Sequence, residues 1–408
     1  MGKSLTSIPT LVESPFIIAT LGGITFGTYT KENKNNSVTF PNFMKSVSIN
    51  KVNGTVNTYT LNFSYQVRLG DDPNLMDKIL SKAANDRLVI LQYGDWSAPS
   101  YIYKEEKCII TNVSTSLNMQ NACIDYTVKC TSSALLLTAN TFSFPAIFEQ
   151  PSKLLLKLSN SKKYGFYDVF SGMHNQQKTL QNNLIATNDR KVQLLPQANV
   201  STFDYMNYLV DSMVPYSNAN MSDLSNSKYY LTIHDDYTNT LGGTYFKVNE
   251  VNKNVKQINS TNTYEVDVNY PGDNFVTQFS LNNDQAWSIL YEYSGDLKQE
   301  SYSYSINNDG TLQTKYVPNL FKSVYSRDIS PAKNAWWAKM TQFPIKATLT
   351  IKGLARPSIL MTHVKVNVWF NGGVKHISSG LYVITKQTDY IDSAGYKTTL
   401  ELLRIDGD

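Results

Sequence analysis

The sequence predicts a mainly β fold with a few helices (α+β), in which two similar sheet-and-helix units are separated by inserted helical and β segments. The composition is the first observation: 27 Tyr and abundant Thr, Ser and Asn accompany only 17% charged residues, as in β proteins with polar turns. Secondly, short runs of alternating apolar and polar residues recur near both ends of the chain. Thirdly, a hairpin pattern at residues 108–130 returns at residues 382–404.

Length and charge limit the possible functions. The 408 residues are enough for two or three domains that each bury an adequate core. The 37 basic and 33 acidic residues are dispersed, without the stripe of Lys and Arg that a nucleic-acid interface requires, so we expect no sequence-specific binding of DNA. No run of about 18 apolar residues occurs, so we expect no transmembrane helix and no membrane anchoring. Residues 15–27 suit a strand and turn better than a signal peptide.

The first unit, residues 1–135, is predicted to be a sheet with one helix. Residues 46–69 alternate on both sides of Asn53-Gly54, the strongest short signal for a β-hairpin. Asp72-Pro73 then supplies an N-cap and a first-turn proline, and apolar residues at helical spacing predict an amphipathic helix at 72–84 that packs on this unit. Further strands are predicted in RLVILQY (87–93), KCIITNVSTSLNM (107–119) and ACIDYTVKCTS (122–132).

Two regions lie between the units. The pattern of residues 136–227 is irregular and partly helical, and it predicts a connecting region whose clearest helix spans 201–213. Ser201 or Thr202 is expected to cap this helix, and Pro215 follows its end. Residues 228–329 return to short Tyr-, Val- and Thr-rich runs, which predict a small β-rich insertion.

The last unit, residues 330–408, is predicted to begin with a helix. Ser330-Pro331 form a cap and first turn before AKNAWWAKMTQF, and Pro344 follows its end. Strands are predicted at 345–353 and 363–370, followed by the hairpin SGLYVITKQTDYIDSAGYKTTLELLR (379–404). Because little chain follows this hairpin, we expect strands from the middle region to complete the unit.

The ends of the two units follow one pattern. CIITNVSTSLNMQNACIDYTVKC (108–130) and YVITKQTDYIDSAGYKTTLELLR (382–404) both contain an Ile-Thr strand, a short polar turn and a returning strand with Thr. The alternation of residues 59–69 likewise matches that of residues 345–353. Two copies of one unit separated by an insertion explain this layout more economically than one large irregular domain.

The C-terminal pattern resembles that of a known family. Phe343-Pro344, the strand ATLTIKG and the closing hairpin are similar to the end of the baseplate hub (late control) proteins of contractile phage tails and related injection machines. STFDYMNYLVDSM (201–213) is similar to another helix of that family, and Asp389 occupies a position at which His is common. The residues that match the hairpin motif are Ser379, Gly380, Tyr382, Ile384, Asp389, Ile391, Gly395, Tyr396, Thr398, Leu400 and Leu402.

The resemblance implies a ring-forming virion protein. Residues 1–135 and 330–408 would be two tail-tube-like β-barrel domains, so that three subunits present six similar units to a hexameric tail tube. The partners implied are two further copies, the tail tube protein, the central spike protein, and baseplate wedge and tape-measure proteins, with assembly in the host cytoplasm. DNA would pass through the lumen without sequence-specific binding. The C-terminal hairpin is then expected to be the edge of a barrel whose neighbours include adjacent subunits.

Six residues are predicted to serve structure and assembly. We expect one ring of the Trp336-Trp337 pair to fill the core and the other to cover a subunit contact. The aliphatic and aromatic residues expected to stabilise the second barrel are Tyr382, Ile384, Leu400 and Leu402.

The sequence indicates no catalytic residue, metal site or cofactor. Cys108, Cys123 and Cys130 lack C-x-x-C spacing and suit structural, buried thiols. His234-Asp235-Asp236 is the one cluster that resembles metal ligands, but neighbouring residues of a strand point to opposite faces. Glu105-Glu106 could in principle serve hydrolysis, although adjacent carboxylates at a strand edge are more often solvated.

Two alternatives to a baseplate hub stay open. A receptor- or carbohydrate-binding tail protein would account for the many Tyr residues and for the Trp336-Trp337 pair, since sugars stack on indole rings. A peptidoglycan hydrolase with unrecognised carboxylates is the weaker alternative.

Overall fold

The computed structural model describes residues 15–27, 40–41, 44–86, 88–95, 104–159, 161, 189–213, 227–235, 244–252, 258, 262–267, 276–283, 302–306, 312–316, 345–353, 360–370 and 373–407. The predicted class, a mainly β fold with a few helices, is confirmed. Within the described part of the chain, none of the helices has the length and apolar character needed to cross a bilayer.

The elements follow one another in three groups. The N-terminal group contains β1 (Pro15–Leu21), β2 (Ile24–Gly27), β3 (Phe40–Pro41), β4 (Met44–Val52), β5 (Thr58–Gln66), α1 (Leu75–Asp86), β6 (Leu88–Asp95), β7 (Lys104–Asn118) and β8 (Cys123–Thr131). The middle group contains a 3-10 helix (Ser133–Thr138), β9 (Thr141–Phe144), β10 (Ile147–Glu149), α2 (Pro151–Ser159), β11 (Val192–Leu194), β12 (Gln197–Ser201), α3 (Thr202–Asp211), β13 (Ser227–His234), β14 (Tyr245–Asn252), β15 (Thr263–Asp267), β16 (Val276–Asn283), β17 (Tyr302–Ile306) and β18 (Leu312–Tyr316). The C-terminal group contains β19 (Ile345–Lys352), β20 (His363–Phe370), β21 (Val374–Lys375), β22 (Gly380–Asp392) and β23 (Gly395–Gly407).

The two predicted helices that fall within the described residues are both present. The helix predicted at 72–84 is α1, which buries an apolar face of Met76, Ile79, Leu80 and Ala83 against the first sheet. The helix predicted at 201–213 is α3, and Ser201 is its N-cap, because the Ser201 Oγ accepts a 3.0 Å hydrogen bond from the Asp204 amide. The predicted hairpin turn at Asn53-Gly54 joins β4 to β5, with Gly54 at a φ of +70° that a residue without a Cβ adopts readily.

Two sets of five neighbouring strands, called the first and the second sheet, have the same topology. In the first, the neighbours in space run β4-β5-β8-β7-β6, and every pair is antiparallel. In the second they run β16-β19-β23-β22-β20, again with every pair antiparallel. Numbered along the chain within each set, both sheets have the spatial order 1-2-5-4-3. The second sheet takes its first strand from the middle region, as β16 precedes β19 by a long insertion.

The irregularities of the two sheets also correspond. A bulge interrupts β4 between Met44 and Ser46, and another interrupts β16 between Val276 and Gln278, at the same place relative to the next strand. The long hairpins each have a bulge at the Thr of an Ile-Thr pair, Thr111 in β7 and Thr385 in β22. The two sheets therefore share their strand order and the positions of these bulges, and the prediction that they are copies of one unit stays a prediction.

The hairpin turns differ in length between the copies. Asn118 pairs with Cys123 across a four-residue turn, whereas Asp392 pairs with Gly395 across a two-residue turn. Both hairpins have the predicted strand, short turn and returning strand. When the bulges of the first strands are aligned, the returning strands correspond after a shift of two residues.

The described residues form three hydrophobic cores. The first sheet and α1 enclose one core, and the second sheet with β15 encloses another. Between them, α2, α3 and the paired strands β13 and β14 enclose a third core, which the predicted middle region supplies.

Candidate functional site

The junction between the two sheets is the most distinctive site of the chain. The first residues of β22 pair with β20, and its outer half, Lys386 to Asp392, pairs antiparallel with β4 from Val52 to Ser46. A single sheet therefore runs through both units. The expectation that adjacent subunits flank the C-terminal hairpin is wrong for this edge, because β4 of the same chain occupies it.

The end of the C-terminal hairpin completes the first core. Ile391 and Tyr396 belong to the hydrophobic core of the first sheet, although both lie on strands of the second. Tyr396 passes close to Gly353, whose amide donates a 2.6 Å hydrogen bond to the Tyr396 carbonyl. A Cβ atom at Gly353 would overlap Cβ and Cγ of Tyr396, so glycine is required for this approach.

The Asn53-Gly54 turn joins all three parts of the fold. The Asn53 amide donates to the Thr385 carbonyl of β22 at 3.0 Å, and the Gly54 amide donates to the Leu231 carbonyl of β13 at 2.9 Å. The Asn207 side chain of α3 donates to the Gly54 carbonyl at 3.1 Å. One tight turn thus fixes the first sheet to the second and to the middle region.

A buried polar network lies behind this turn. Lys51 of β4 forms an ion pair with Glu106 of β7, and both side chains are almost fully excluded from solvent. The Tyr93 hydroxyl donates to Glu106 Oε1 at 2.6 Å. The Tyr59 hydroxyl lies 2.8 Å from Glu106 Oε2 and 2.9 Å from Asp235 Oδ2, and its single hydrogen serves one carboxylate at a time. The expectation that Glu106 is solvated is wrong, and its burial leaves no open cleft for hydrolysis at this carboxylate.

Asp235 extends the network into the middle region. Its carboxylate accepts hydrogen bonds from Asn57, Ser132 and Thr244, at 2.8 Å from Asn57 Nδ2 and 2.7 Å from Thr244 Oγ1. Burial raises the pKa of Asp235, against these hydrogen bonds, which lower it. A protonated Asp235 can donate to Tyr59, which leaves the Tyr59 hydrogen for Glu106.

Asp389 brings the second sheet into the same cluster. Its carboxylate accepts 2.6 Å hydrogen bonds from Gln387 Nε2 and Thr398 Oγ1. Burial raises the pKa of Asp389 to about 6, although Thr398, Lys51 and Gln387 act in the opposite direction. For Lys51, burial alone would lower the pKa, but Glu106, Asp389 and Asp235 outweigh it and the pKa is raised. One buried ammonium therefore faces three buried carboxyl groups, drawn from every part of the fold.

The structure describes four of the six residues that the sequence predicts to serve structure and assembly. The four predicted to stabilise the second barrel are all buried in the second core: Tyr382, Ile384, Leu400 and Leu402. The Tyr382 hydroxyl donates to the Ser378 carbonyl at 2.6 Å. Any part they play in assembly stays a prediction. Trp336, Trp337 and the helix predicted after Pro331 lie outside the described residues.

The sequence cluster at His234 divides as strand geometry predicts. His234 stacks on Tyr245, with ring centroids 4.7 Å apart, and its Nε2 lies 2.9 Å from Thr232 Oγ1. Burial lowers the pKa of His234 to about 3. Asp235 faces the buried network instead, and Asp236 lies outside the described residues. No group of three His, Cys, Asp or Glu side chains in the described ranges could hold a metal ion.

The cysteines are free thiols. Cys108 and Cys130 are buried, whereas Cys123, beside the hairpin turn, is half-buried, so the prediction of burial is correct for two of the three. Burial raises the pKa of the Cys108 thiol, which keeps it protonated and unreactive.

Comparison with known proteins identifies the fold. No protein-family model and no curated protein matches the sequence. The structure is similar to the tail protein from Neisseria meningitidis MC58, with a TM-score of 0.50, 8% sequence identity and 96% of each chain covered. It is also similar to the 43 kDa tail protein of prophage MuSo2 from Shewanella oneidensis, with a TM-score of 0.50, 9% identity, and 96% of this chain and 99% of that chain covered. The resemblance to phage tail proteins that the sequence predicts is therefore confirmed at the level of the fold.

Proposed function

We propose that this chain is a structural protein of a phage tail, a baseplate hub that joins the tail tube to the central spike. Three copies would form a ring with pseudo-sixfold symmetry and nucleate assembly of the tube. The observation that carries this proposal is the repeated sheet with spatial order 1-2-5-4-3. Two such units in each chain allow three chains to match a hexameric tube, provided that the rotation between neighbouring chains closes into a ring.

The mechanism is mechanical. The β22 and β4 pairing removes two sheet edges within the chain, and further pairing between copies would close the sheets into a cylinder with a lumen for DNA. The buried ion pair of Lys51 and Glu106 supports this role, because separating the two side chains would leave a charge buried without its partner. The two units would thus keep a fixed angle while the tail transmits force.

A non-enzymatic role is part of the proposal. The fold of tail proteins supports it, and so does the placement of Glu106, which is paired with Lys51 and closed to solvent. The tail tube, spike, wedge and tape-measure proteins are the proposed partners, within a virion tail assembled in the host cytoplasm.

The proposal is tested by the mass and shape of the assembled protein. Light scattering of the purified chain is expected to give the mass of three subunits, and negative-stain images are expected to show rings as wide as the tail tube. Adding substoichiometric rings to purified tail tube protein should shorten the lag before tubes grow. A chain that stays monomeric at all concentrations, or that does not alter tube growth, would contradict the proposal.

A further inference from the structure

Two sheet edges have no strand partner among the described residues. In β7, residues 104–109 pair with β6, but the following half, Asn112 to Asn118, pairs only with β8 on its other side. At the far end of the same sheet, β16 pairs only with β19. The sequences of these edges, NVSTSLN and VTQFSLNN, contain no charged residue and no proline. Exposed edges are usually protected by charges or proline, so both edges are suited to pairing.

The repeat relates these edges to the junction inside the chain. The bulges align β7 with β22 and β4 with β16. The pairing of β22 with β4 therefore has a counterpart in a pairing of β7 with β16. That counterpart is not formed within the described part of the chain, where β16 pairs with β19 and β7 with β6 and β8.

We propose that the outer half of β7 in one copy pairs antiparallel with β16 of a second copy, in the register of the β22 and β4 junction. Ile391 lies opposite Val47 and Asp389 opposite Ile49 in that junction. The corresponding pairs between copies are Leu117 with Phe279, Thr115 with Leu281, and Val113 with Asn283. The contact is head-to-tail, so it rests on the proposed function for its closure into a ring of three.

The apolar residues on the two edges fit this contact. Leu117, Leu281 and Val113 are 66%, 41% and 37% exposed, which is unusual for three large apolar side chains on two edge strands. Beside β16 lies a groove lined by apolar side chains: Val266, Val276, Phe279, Leu281, Val368 and Phe370. In the first unit, Ile391 and Tyr396 of the C-terminal hairpin fill the corresponding core. Leu117, the counterpart of Ile391, would pack against this groove in the next copy, whereas its cross-strand partner Ile124 packs against the first core of its own chain.

Cross-linking between differently labelled copies tests the register. Thr115→Cys and Leu281→Cys are made in separate chains, each with Cys123→Ser to remove the accessible thiol. After mixing and mild oxidation, a covalent dimer is expected from the mixture and from neither chain alone, because directly opposed strand residues lie within disulfide reach. Ser114→Cys mixed with Leu281→Cys is the control, since its side chain points to the other face and should not cross-link.

A second variant tests the contact by mass. Leu117→Asp is expected to leave the fold intact and to weaken association at least about tenfold, because a carboxylate would be buried beside Phe279. Phe148→Asp, on the exposed face of β10, is the matched control and should associate as the unaltered chain does.

The possible results distinguish failure of this contact from failure of the proposed threefold ring. Trimers that form without the cross-link, or that tolerate Leu117→Asp, overturn the contact and leave the proposed function standing. If the cross-link forms but the native assembly has a mass other than that of three subunits, the contact is supported and the threefold ring is overturned. Chains that never associate overturn both.

Discussion

Thr111 and Thr385 occupy equivalent positions in the two long hairpins. Each is the extra residue of a bulge, and each donates its hydroxyl to the carbonyl that follows the bulge on the opposite strand, Lys129 at 3.0 Å and Glu401 at 3.2 Å. In β22 the bulge stands where pairing with β20 ends and pairing with β4 begins. The bulge therefore marks the position at which a strand leaves its own unit and joins the next.

Deletion of Thr385 is expected to weaken the junction. The bulge changes which side chains face the core, from Ile384 before it to Gln387, Asp389 and Ile391 after it. Removing the extra residue leaves the facing of these side chains unchanged, but it removes the carbonyl that accepts the Asn53 amide hydrogen bond and the bend at which β22 passes from β20 to β4, with a loss of about 1–3 kcal/mol in the free energy of unfolding. Denaturant unfolding followed by circular dichroism measures the loss.

Deletion of Thr111 is the matched control for this prediction. Residues 111–117 are all exposed in the single chain, so the same change there should cost about 1 kcal/mol or less. Equal losses for the two deletions would show that the bulge of β22 has no special role at the junction.

The buried ion pair of Lys51 and Glu106 is expected to be strongly coupled. Lys51→Met or Glu106→Gln alone should lower the free energy of unfolding by about 3–5 kcal/mol, because each leaves a buried charge without its partner. The double variant should lose clearly less than the sum, since no such charge is left in the pair. A double-mutant cycle from denaturant unfolding gives the coupling energy.

The exposed pair of Lys386 and Glu401 provides the control for that cycle. Its ammonium and carboxylate lie 2.7 Å apart, but both side chains reach solvent. The same substitutions there should give a coupling below about 1 kcal/mol, as for other surface pairs. Similar coupling energies at the two sites would contradict the importance of burial.

Asp389 should make the protein less stable as the pH rises. Its pKa is about 6 when folded and 3.8 ordinarily, so the folded chain holds the proton more tightly. The resulting stability is fully present below about pH 4 and is lost as the pH rises through about 6, by up to about 3 kcal/mol. The Asn side chain of Asp389→Asn does not titrate. The free energy of unfolding of the variant should therefore rise relative to that of the unaltered chain between pH 4 and 7.

Unfolding curves at several pH values measure this gain. Lys51, Glu106 and Tyr396 also face Asp389, and all three are retained in the variant, so they contribute to the stability of both proteins. A difference in stability that stays constant from pH 4 to 7 would mean that Asp389 is not the group that titrates.

Local patterns predicted much of the fold. The alternation around Asn53-Gly54, the caps of α1 and α3, and the similarity of the two long hairpins all depend on residues close in sequence. The repeat was visible because both hairpins keep the Ile-Thr pair that forms the bulge. The shift of two in the returning strand could not be predicted in this way, because it is set by turn length, which is not a pattern of hydrophobicity.

The polar network could not be predicted in the same way. Lys51 follows Val47 and Ile49 at inward-facing positions, but a Lys there usually indicates that a strand has reached solvent. Asp389 faces inward only because the bulge at Thr385 shifts the alternation by one residue. The partners Asp235 and Asn57 are brought together by the packing of the middle region on the first sheet, a long-range contact that leaves no local signal.

Gly353→Ala is expected to separate the C-terminal hairpin from the first core. The added Cβ would overlap Cβ and Cγ of Tyr396, and the overlap with Cβ cannot be relieved by a change of rotamer. Because Tyr396 belongs to the first core, moving it should cost about 1–3 kcal/mol in the free energy of unfolding. Lys352→Ala, at the exposed neighbouring position, should cost about 0.5 kcal/mol or less. If the two variants unfold at the same denaturant concentration, the close approach of Gly353 and Tyr396 does not hold the two units together.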